Sequence, residues 1–556
     1  MLLDLISNFA SFLSLHQKAL TSPPATTLVI LALALFTWRI WRFTISVYLY
    51  PHRVKELPYW IPCRKLPSFS LDITLITVLL VVGHALGFYR NSGAVVAAAV
   101  RITNGLYEPF AVNILGKKLY FITNPSDVSE SFRNITTLSW EKYLDELLVC
   151  FGVRSDMISL LHEETPALQE HFSTVTKNKM QPNRLIDFAA LAYKRQLAVD
   201  KVDELSAPFF KSVLDTSSWS QLSSQSTYPG QVRHTIRGLL DVTLSRAIAQ
   251  MFFGRAIFHI EPEITKHTLG FSDGLWRLIY HYPRCLASDF YTSYDKIMHA
   301  IEKYAATDPE ATADASFVVR SMVEAEKLAG LDVRSAAALT SIMYLAAFAN
   351  VHSTSFWLLS YIAFDPDLKA ALLAEIMPAF QNGKFDTNYI VNHCPLLDSC
   401  FREVLRLHIV SFSLRLIDAP THFSGKTLEP GNILLVPFGR LHHDEAVWGN
   451  NHHQFSPTRF LKNGLASHPA YRPFGGGLNA CPGKALAARQ TLSYVAFMLY
   501  SYEIAVPEMN GKVQQVPLAD ENTPTFGTSV PRKGMDPTVD LSPSSRPPVE
   551  FVISCP

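Results

Sequence analysis

The stretch from Asp332 to Phe364, closed by Asp365-Pro366, constrains this chain more than any other. It reads as unbroken helix, with Asp332 suited to the N-cap and Pro366 unable to continue the pattern. At 1.5 Å per residue such a helix extends about 50 Å. It is apolar on nearly every face, whereas a surface helix shows a single apolar stripe. It must therefore be enclosed by a large domain. The 556 residues, 48% hydrophobic and 12% aromatic, supply that core and exclude disorder.

Most of residues 100–410 reads as further helices, and Asp215–Gly230, "DTSSWSQLSSQSTYPG", reads as a surface loop. Strand-like pieces come late, at Asn432–Phe438 and Glu550–Ser554. The expected class is mainly α with a smaller β-rich portion. A net charge of +1, with no zinc-finger or basic-aromatic pattern, argues against nucleic acid as a partner. The seven scattered cysteines form no disulfide framework and fit a reducing, cytosol-facing compartment.

The N-terminus differs in kind. Ala25 to Trp38 is charge-free and is followed by Arg39 and Arg42. With its flanks it reaches the roughly 20 residues a span needs, the arginines snorkelling to the interface. Cationic residues after the span place the following chain in the cytosol. The expected organisation is a membrane anchor within 1–50 (span about 22–41), a proline hinge at 51–62, and the main domain at 83–556. Residues 63–82, "CRKLPSFSLDITLITVLLVV", form an anomalous insertion too short for a second span. It reads as a short unspliced intron that has been translated, the alternatives being a β-rich insertion or a re-entrant membrane segment.

Near the other end, "YRPFGGGLNACPGKALAARQ" sets Cys481 between a glycine-rich turn and an alanine-rich helix. A thiolate beside a helix N-terminus is favoured by the N–H groups there, and such a sulfur is a good axial ligand for haem iron. A buried structural cysteine satisfies the same spacing. Two further motifs precede it: Glu403-x-x-Arg406 in "CFREVLRLH", on one helix face, and Arg459 in "QFSPTRF". The order E-x-x-R, P-x-R-F, then F-x-x-G-x-x-x-C-x-G resembles the cytochrome P450 haem-thiolate family, over roughly residues 50–556. An N-terminal anchor is typical of its microsomal members.

The resemblance implies the cytochrome P450 fold, a large helical haem-binding domain with a smaller β-rich portion, preceded here by a transmembrane helix. It implies haem b, with Cys481 as axial ligand of the iron, Phe474 packed beside the sulfur, and Gly477 and Gly483 shaping the loop. Glu403, Arg406 and Arg459 would form a structural charge network. Arg415, in "SFSLRLI", stands where the family often places a haem-propionate partner. Asn479 occupies a position where many members carry Arg or His, and Arg472 is the candidate to compensate. No W-x-x-x-R motif is evident. The histidines of "LHHDEAVWGNNHH" (His442, His443, His452, His453) lack metal-site spacing and resemble the family's meander instead.

On the long helix the family writes A-G-x-[DE]-T-T. This chain has Ala349, Asn350, Val351, His352, Ser353 and Thr354 there. By that alignment Asn350 replaces glycine, Ser353 supplies the hydroxyl for proton delivery, and Thr354 follows it. His352 takes the acid position, as a proton source or as a packed histidine. Asn350 with Phe356-Trp357 looks like the sterol-hydroxylase and prostacyclin-synthase branch. By family position Phe348, Ala349, Val410, Phe412, Phe526 and Thr528 line the substrate pocket.

The activity implied is monooxygenation of a lipophilic small molecule (terpenoid, steroid or polyketide-like, of secondary metabolism). It would use O2 and electrons from NADPH through NADPH-cytochrome P450 reductase. The expected location is the endoplasmic reticulum, single-pass, with the catalytic domain in the cytosol. The alternatives are a reductase-independent isomerase or dehydratase acting on a peroxide, and a haem-binding protein without turnover.

Overall fold

The computed structural model describes residues 23–59, 83–103, 107–114, 116–176, 182–198, 201–226, 232–462 and 464–552. The anomalous segment 63–82, the end of the hinge at 60–62 and the first 22 residues of the expected anchor lie outside these.

The helices that position the site are α1 (Pro23–Ile40), α2 (Leu185–Gln196), α3 (Ile264–Ile279), α4 (Ser288–Ala305), α5 (Val333–Ala363), α6 (Pro395–His408) and α7 (Lys484–Ser501). The long apolar pattern is α5. Asp332 caps it, accepting from the Arg334 and Ser335 N–H groups at 3.0 and 3.1 Å. Asp365 then caps the next helix through the Leu368 N–H at 2.9 Å. Tyr344, Phe348 and Trp357 of α5 are wholly buried, each worth roughly 2–3 kcal/mol of transfer energy. Helices α4, α6 and α7 pack around it. Helix α5 is long and apolar enough to cross a membrane, yet 67% of the window that qualifies is buried in protein. It is the core helix.

A mixed sheet flanks this bundle. Its strands are β1 (Lys55–Glu56), β2 (Phe110–Ile114), β3 (Lys117–Phe121), β4 (Leu138–Ser139), β5 (Phe412–Ile417) and β6 (Ile433–Pro437), in the order β1-β2-β3-β6-β5-β4. Strand β6, expected from its apolar run, is central: parallel to β3 and antiparallel to β5. Glu550–Val552 pairs in parallel with Lys384–Asp386. The serine-rich stretch expected as a loop contains instead a short helix, Trp219–Ser224. Leu222 is buried there and the Trp219 ring faces Tyr502 at 6.2 Å, so tertiary burial overrides the local preference for a loop.

Helix α1 runs on through a π turn, Trp41–Ile45, to Leu49. Arg42, expected to snorkel to the interface, grips Glu56 of β1, with its Nη2 at 2.9 and 3.0 Å from the two carboxylate oxygens. Its guanidinium also lies 5.5 Å from the Trp38 ring. The helix is thereby fastened to the edge of the sheet.

Candidate active site

The middle of α5, the exit of α6 into β5, and the loop before α7 surround a cavity of about 370 Å3. The wall is mostly apolar, and Cys481, Arg415, Asn350 and Thr354 are among its polar members.

The cysteine loop is shaped by glycine where a side chain has no room. Gly475 and Gly477 sit at φ +70° and +65°. A Cβ on Gly477 would lie 2.5 Å from the Phe132 carbonyl oxygen, and one on Gly476 2.8 Å from the Phe132 ring. The Cys481 N–H closes the loop on the Phe474 carbonyl at 2.9 Å. Helix α7 then starts after Gly483, whose carbonyl accepts from Ala487 at 2.8 Å. The Cys481 side chain faces the cavity and is exposed to it. Burial pushes its thiol up, and the Gly483 N–H only partly opposes this. Burial and the helix terminus thus act on the sulfur in opposite senses, and a cation beside it favours the thiolate.

On α6, Arg406 Nε and Nη2 donate to the two carboxylate oxygens of Glu403, both at 2.8 Å, and Arg459 Nε donates to Glu403 Oε1 at 2.9 Å. Glu403 and Arg406 are fully buried. The remaining guanidinium N–H groups tie down the His442–Asn451 region. Arg406 Nη1 donates to the His442 and His452 carbonyls, each at 2.7 Å, and Arg459 Nη1 to Trp448 at 2.8 Å. Every charge is paired and every guanidinium nitrogen donates, as burial demands. His442 continues the chain of contacts: its Nδ1 faces the Ile409 carbonyl at 3.3 Å and its Nε2 accepts from the Arg472 N–H at 3.0 Å. The network thus reaches the segment that enters the cysteine loop.

Arg415 is buried against the cavity. It donates to the Leu414 carbonyl at 2.8 Å and has no carboxylate partner among the described residues. Arg472 turns away from the cavity, to the Pro469 carbonyl at 3.0 Å and Ser129 Oγ at 3.1 Å.

On α5 the cavity face carries Ala346, Ala347, Asn350, Val351 and Thr354. Ser353 and Ala349 are not on that wall, and neither are Phe348 and His352. These last two stack with ring centroids 6.0 Å apart inside the core, His352 beside the Arg237 backbone. Burial pushes the His352 imidazole down to about 3, so it is neutral and enclosed. The hydroxyl that reaches the cavity is Thr354, a turn after Asn350. Across from α5, Phe526, Phe412 and Ile409 line the wall. Val410 does not, lying instead against Gly439. Thr528 stands behind the wall, its hydroxyl 3.4 Å from Thr354 Oγ1.

The sequence model of the cytochrome P450 family matches residues 287–525. A cytochrome P450 monooxygenase of Penicillium oxalicum, poxD, is 24% identical over 454 residues, covering 79% of this chain and 89% of that one. The monooxygenase calL of Penicillium decumbens is 30% identical over 195 residues, 32% of this chain and 36% of that protein. In three dimensions the chain is similar to retinoic acid-bound cyanobacterial CYP120A1, with a TM-score of 0.56 and 17% identity, covering 84% of this chain and 97% of the other. The chain belongs to the cytochrome P450 family.

As a P450 it is an oxidoreductase whose cofactor is haem with a thiolate-ligated iron. The residues present fit that group. A thiol faces an apolar cavity between the cysteine loop and α5, and a buried guanidinium without a carboxylate faces the same space. Sequence reasoning missed two parts of this P450 wall, Trp140 and Phe132. The Arg415 guanidinium lies 5.6 and 6.0 Å from their ring centroids. The signal available was Trp140 at the start of the amphipathic helix Glu141–Cys150, which has no arginine four residues on.

Proposed function

We propose that this P450 is a membrane-anchored monooxygenase that hydroxylates or otherwise oxidises a lipophilic small molecule. It takes electrons from NADPH through NADPH-cytochrome P450 reductase. The observation that carries the reading is that the Cys481 thiol, the Arg415 guanidinium and the Asn350–Thr354 face of α5 share one mainly apolar cavity. Cys481 is the residue to hold the iron, with Phe474 beside it on the same wall and Gly477 and Gly483 giving the loop its shape. Arg415 is the residue to meet a cofactor carboxylate, in a charge-assisted contact. Bound haem supplies oxygen activation, which its thiolate ligand favours by donating electron density.

The chain's own residues do the rest. Glu403, Arg406 and Arg459 hold the approach to the cysteine loop. Thr354 Oγ1 holds a proton at the cavity edge and passes it inward, a role the sequence assigned to Ser353. Val351, Ile409, Phe412 and Phe526 exclude water and orient an apolar substrate, of the terpenoid, steroid or polyketide-like kind met in secondary metabolism.

Helix α1 is the proposed single-pass anchor, in the endoplasmic reticulum with the main domain in the cytosol. Segment 63–82 is read as a translated intron. Native peptides joining Pro62 to Gly83 would support that, and peptides from within the segment would refute it.

The deciding test is the ferrous–CO difference spectrum of wild type and Cys481→Ala. A red-shifted thiolate-type Soret band, lost in the variant, is expected. Its absence from a folded, haem-loaded wild type would overturn the reading. Turnover with and without reductase then separates a monooxygenase from a peroxide isomerase.

A further inference from the structure

Asn350 projects from α5 onto the cavity wall. Its Oδ1 accepts from the Thr528 backbone N–H at 3.0 Å and from the Thr528 hydroxyl at 3.3 Å. A backbone N–H can only donate, so this contact decides which end of the carboxamide is oxygen. The loop backbone comes unusually close here: a Cβ on Gly527 would lie 2.1 Å from Asn350 Oδ1. Glycine thus lets the loop clamp the oxygen end. The nitrogen end, Nδ2, keeps two N–H donors and has no protein partner among the described residues.

The Thr528 hydroxyl also stands 3.4 Å from Thr354 Oγ1, a contact in which either oxygen can donate. The Asn350 amide thus presents its unpartnered donors beside the apolar Val351, Phe526 and Ile409.

We infer that Asn350 is a ligand-contacting residue whose clamped carboxamide donates a hydrogen bond to an acceptor oxygen held in the cavity. That oxygen belongs either to a diatomic on the iron or to a carbonyl, hydroxyl or peroxide group of an otherwise lipophilic substrate. Gly527 and Thr528 are positioning residues for it. The inference rests on the haem-thiolate reading above, and the experiment keeps the two separable.

Three variants of the holoprotein test it. Asn350→Leu removes the donors. Asn350→Asp removes them while still accepting from Thr528. Gly527→Ala leaves Asn350 in sequence but displaces its carboxamide. One arm measures the C–O stretching frequency of the ferrous–CO complex, which a nearby donor lowers. The other compares the spectral affinities of 1-phenylimidazole and its 4-acetyl analogue, which differ by one acceptor group. If the acceptor is the diatomic, the stretch rises in all three variants. If it is a substrate oxygen, the affinity advantage of the acetyl compound falls about five- to tenfold. An unchanged stretch together with an unchanged affinity ratio overturns the inference while the red-shifted CO band still stands. A wild type without that band removes both.

Discussion

Trp357 and His408 lie face to face, their ring centroids 3.7 Å apart and their planes 9° from parallel. Both are tied to Ser529: Trp357 Nε1 donates to its carbonyl at 2.7 Å, and His408 Nδ1 meets its hydroxyl at 2.9 Å. One neutral imidazole thus joins α5, α6 and the segment that carries Phe526 on the cavity wall.

That neutrality predicts a pH dependence. Burial holds His408 well below its ordinary value of 6.5, and takes His352 and His442 down to about 3 and His443 to about 4. Below pH 6.5 the unfolded chain binds protons that the folded chain refuses, so stability is lost as pH falls and is complete above that value. Each such histidine contributes a slope of about 1.4 kcal/mol per pH unit. Buried Glu326, raised by desolvation, titrates in the opposite sense. The diagnostic is therefore a difference. Urea unfolding between pH 5 and 6.5 should be flatter in His442→Gln than in wild type by about that slope, and an equal slope would refute it.

The charge network predicts severe single-residue losses. Glu403→Gln leaves Arg406 and Arg459 buried without a counter-charge, at a cost of about 3–5 kcal/mol. Arg459→Ala should cost a comparable amount. Denaturant midpoints measure this, and the haem retained after gel filtration should fall in parallel.

Gly477→Ala should disable the cysteine loop without touching the sulfur. The positive φ strains any other residue, and the added Cβ meets the Phe132 carbonyl. Haem content of the purified variant should drop sharply, while far-ultraviolet circular dichroism stays near wild type.

The two adjacent hydroxyls on α5 should behave differently. Thr354→Val removes the hydroxyl on the cavity wall and should lower product formed per NADPH consumed by roughly tenfold or more. Ser353→Ala should stay within about twofold on the same measure, since its side chain lies off that wall.

Arg415→Gln should weaken retention of the cofactor more than it weakens the fold. The guanidinium faces the cavity and neutralises no carboxylate among the described residues, so its removal leaves no protein charge stranded. Haem transfer to apomyoglobin should speed up, with a change in urea midpoint smaller than that of Glu403→Gln.

What could be read in the chain was local. The Asp332 cap, the stop at Asp365-Pro366, the β6 strand and the i, i+3 pairing of Glu403 with Arg406 depend on neighbours within a turn or on side-chain alternation. The facing of α5 could not be read. Successive residues on a helix point about 100° apart, and a helix apolar all round offers no stripe to orient it. Choosing Ser353 over Thr354 is a rotation of that size, and choosing Phe348 and Ala349 over Ala346 and Ala347 is one of about twice it. Packing against α4, α6, α7 and the Phe526–Ser529 segment, all distant in sequence, sets it.

The sequence by itself therefore determined a large helical domain around one enclosed helix, a cysteine held in a glycine-shaped turn, and a paired carboxylate and guanidinium on α6. Each follows from backbone sterics or from spacing within one element. The tertiary structure decided which face of α5 meets the cavity, that Arg472 turns outward while Arg415 stays, and that Trp140 and Phe132 complete the wall. Those outcomes depend on contacts between segments hundreds of residues apart, where burial and the pairing of polar groups outweigh any local preference.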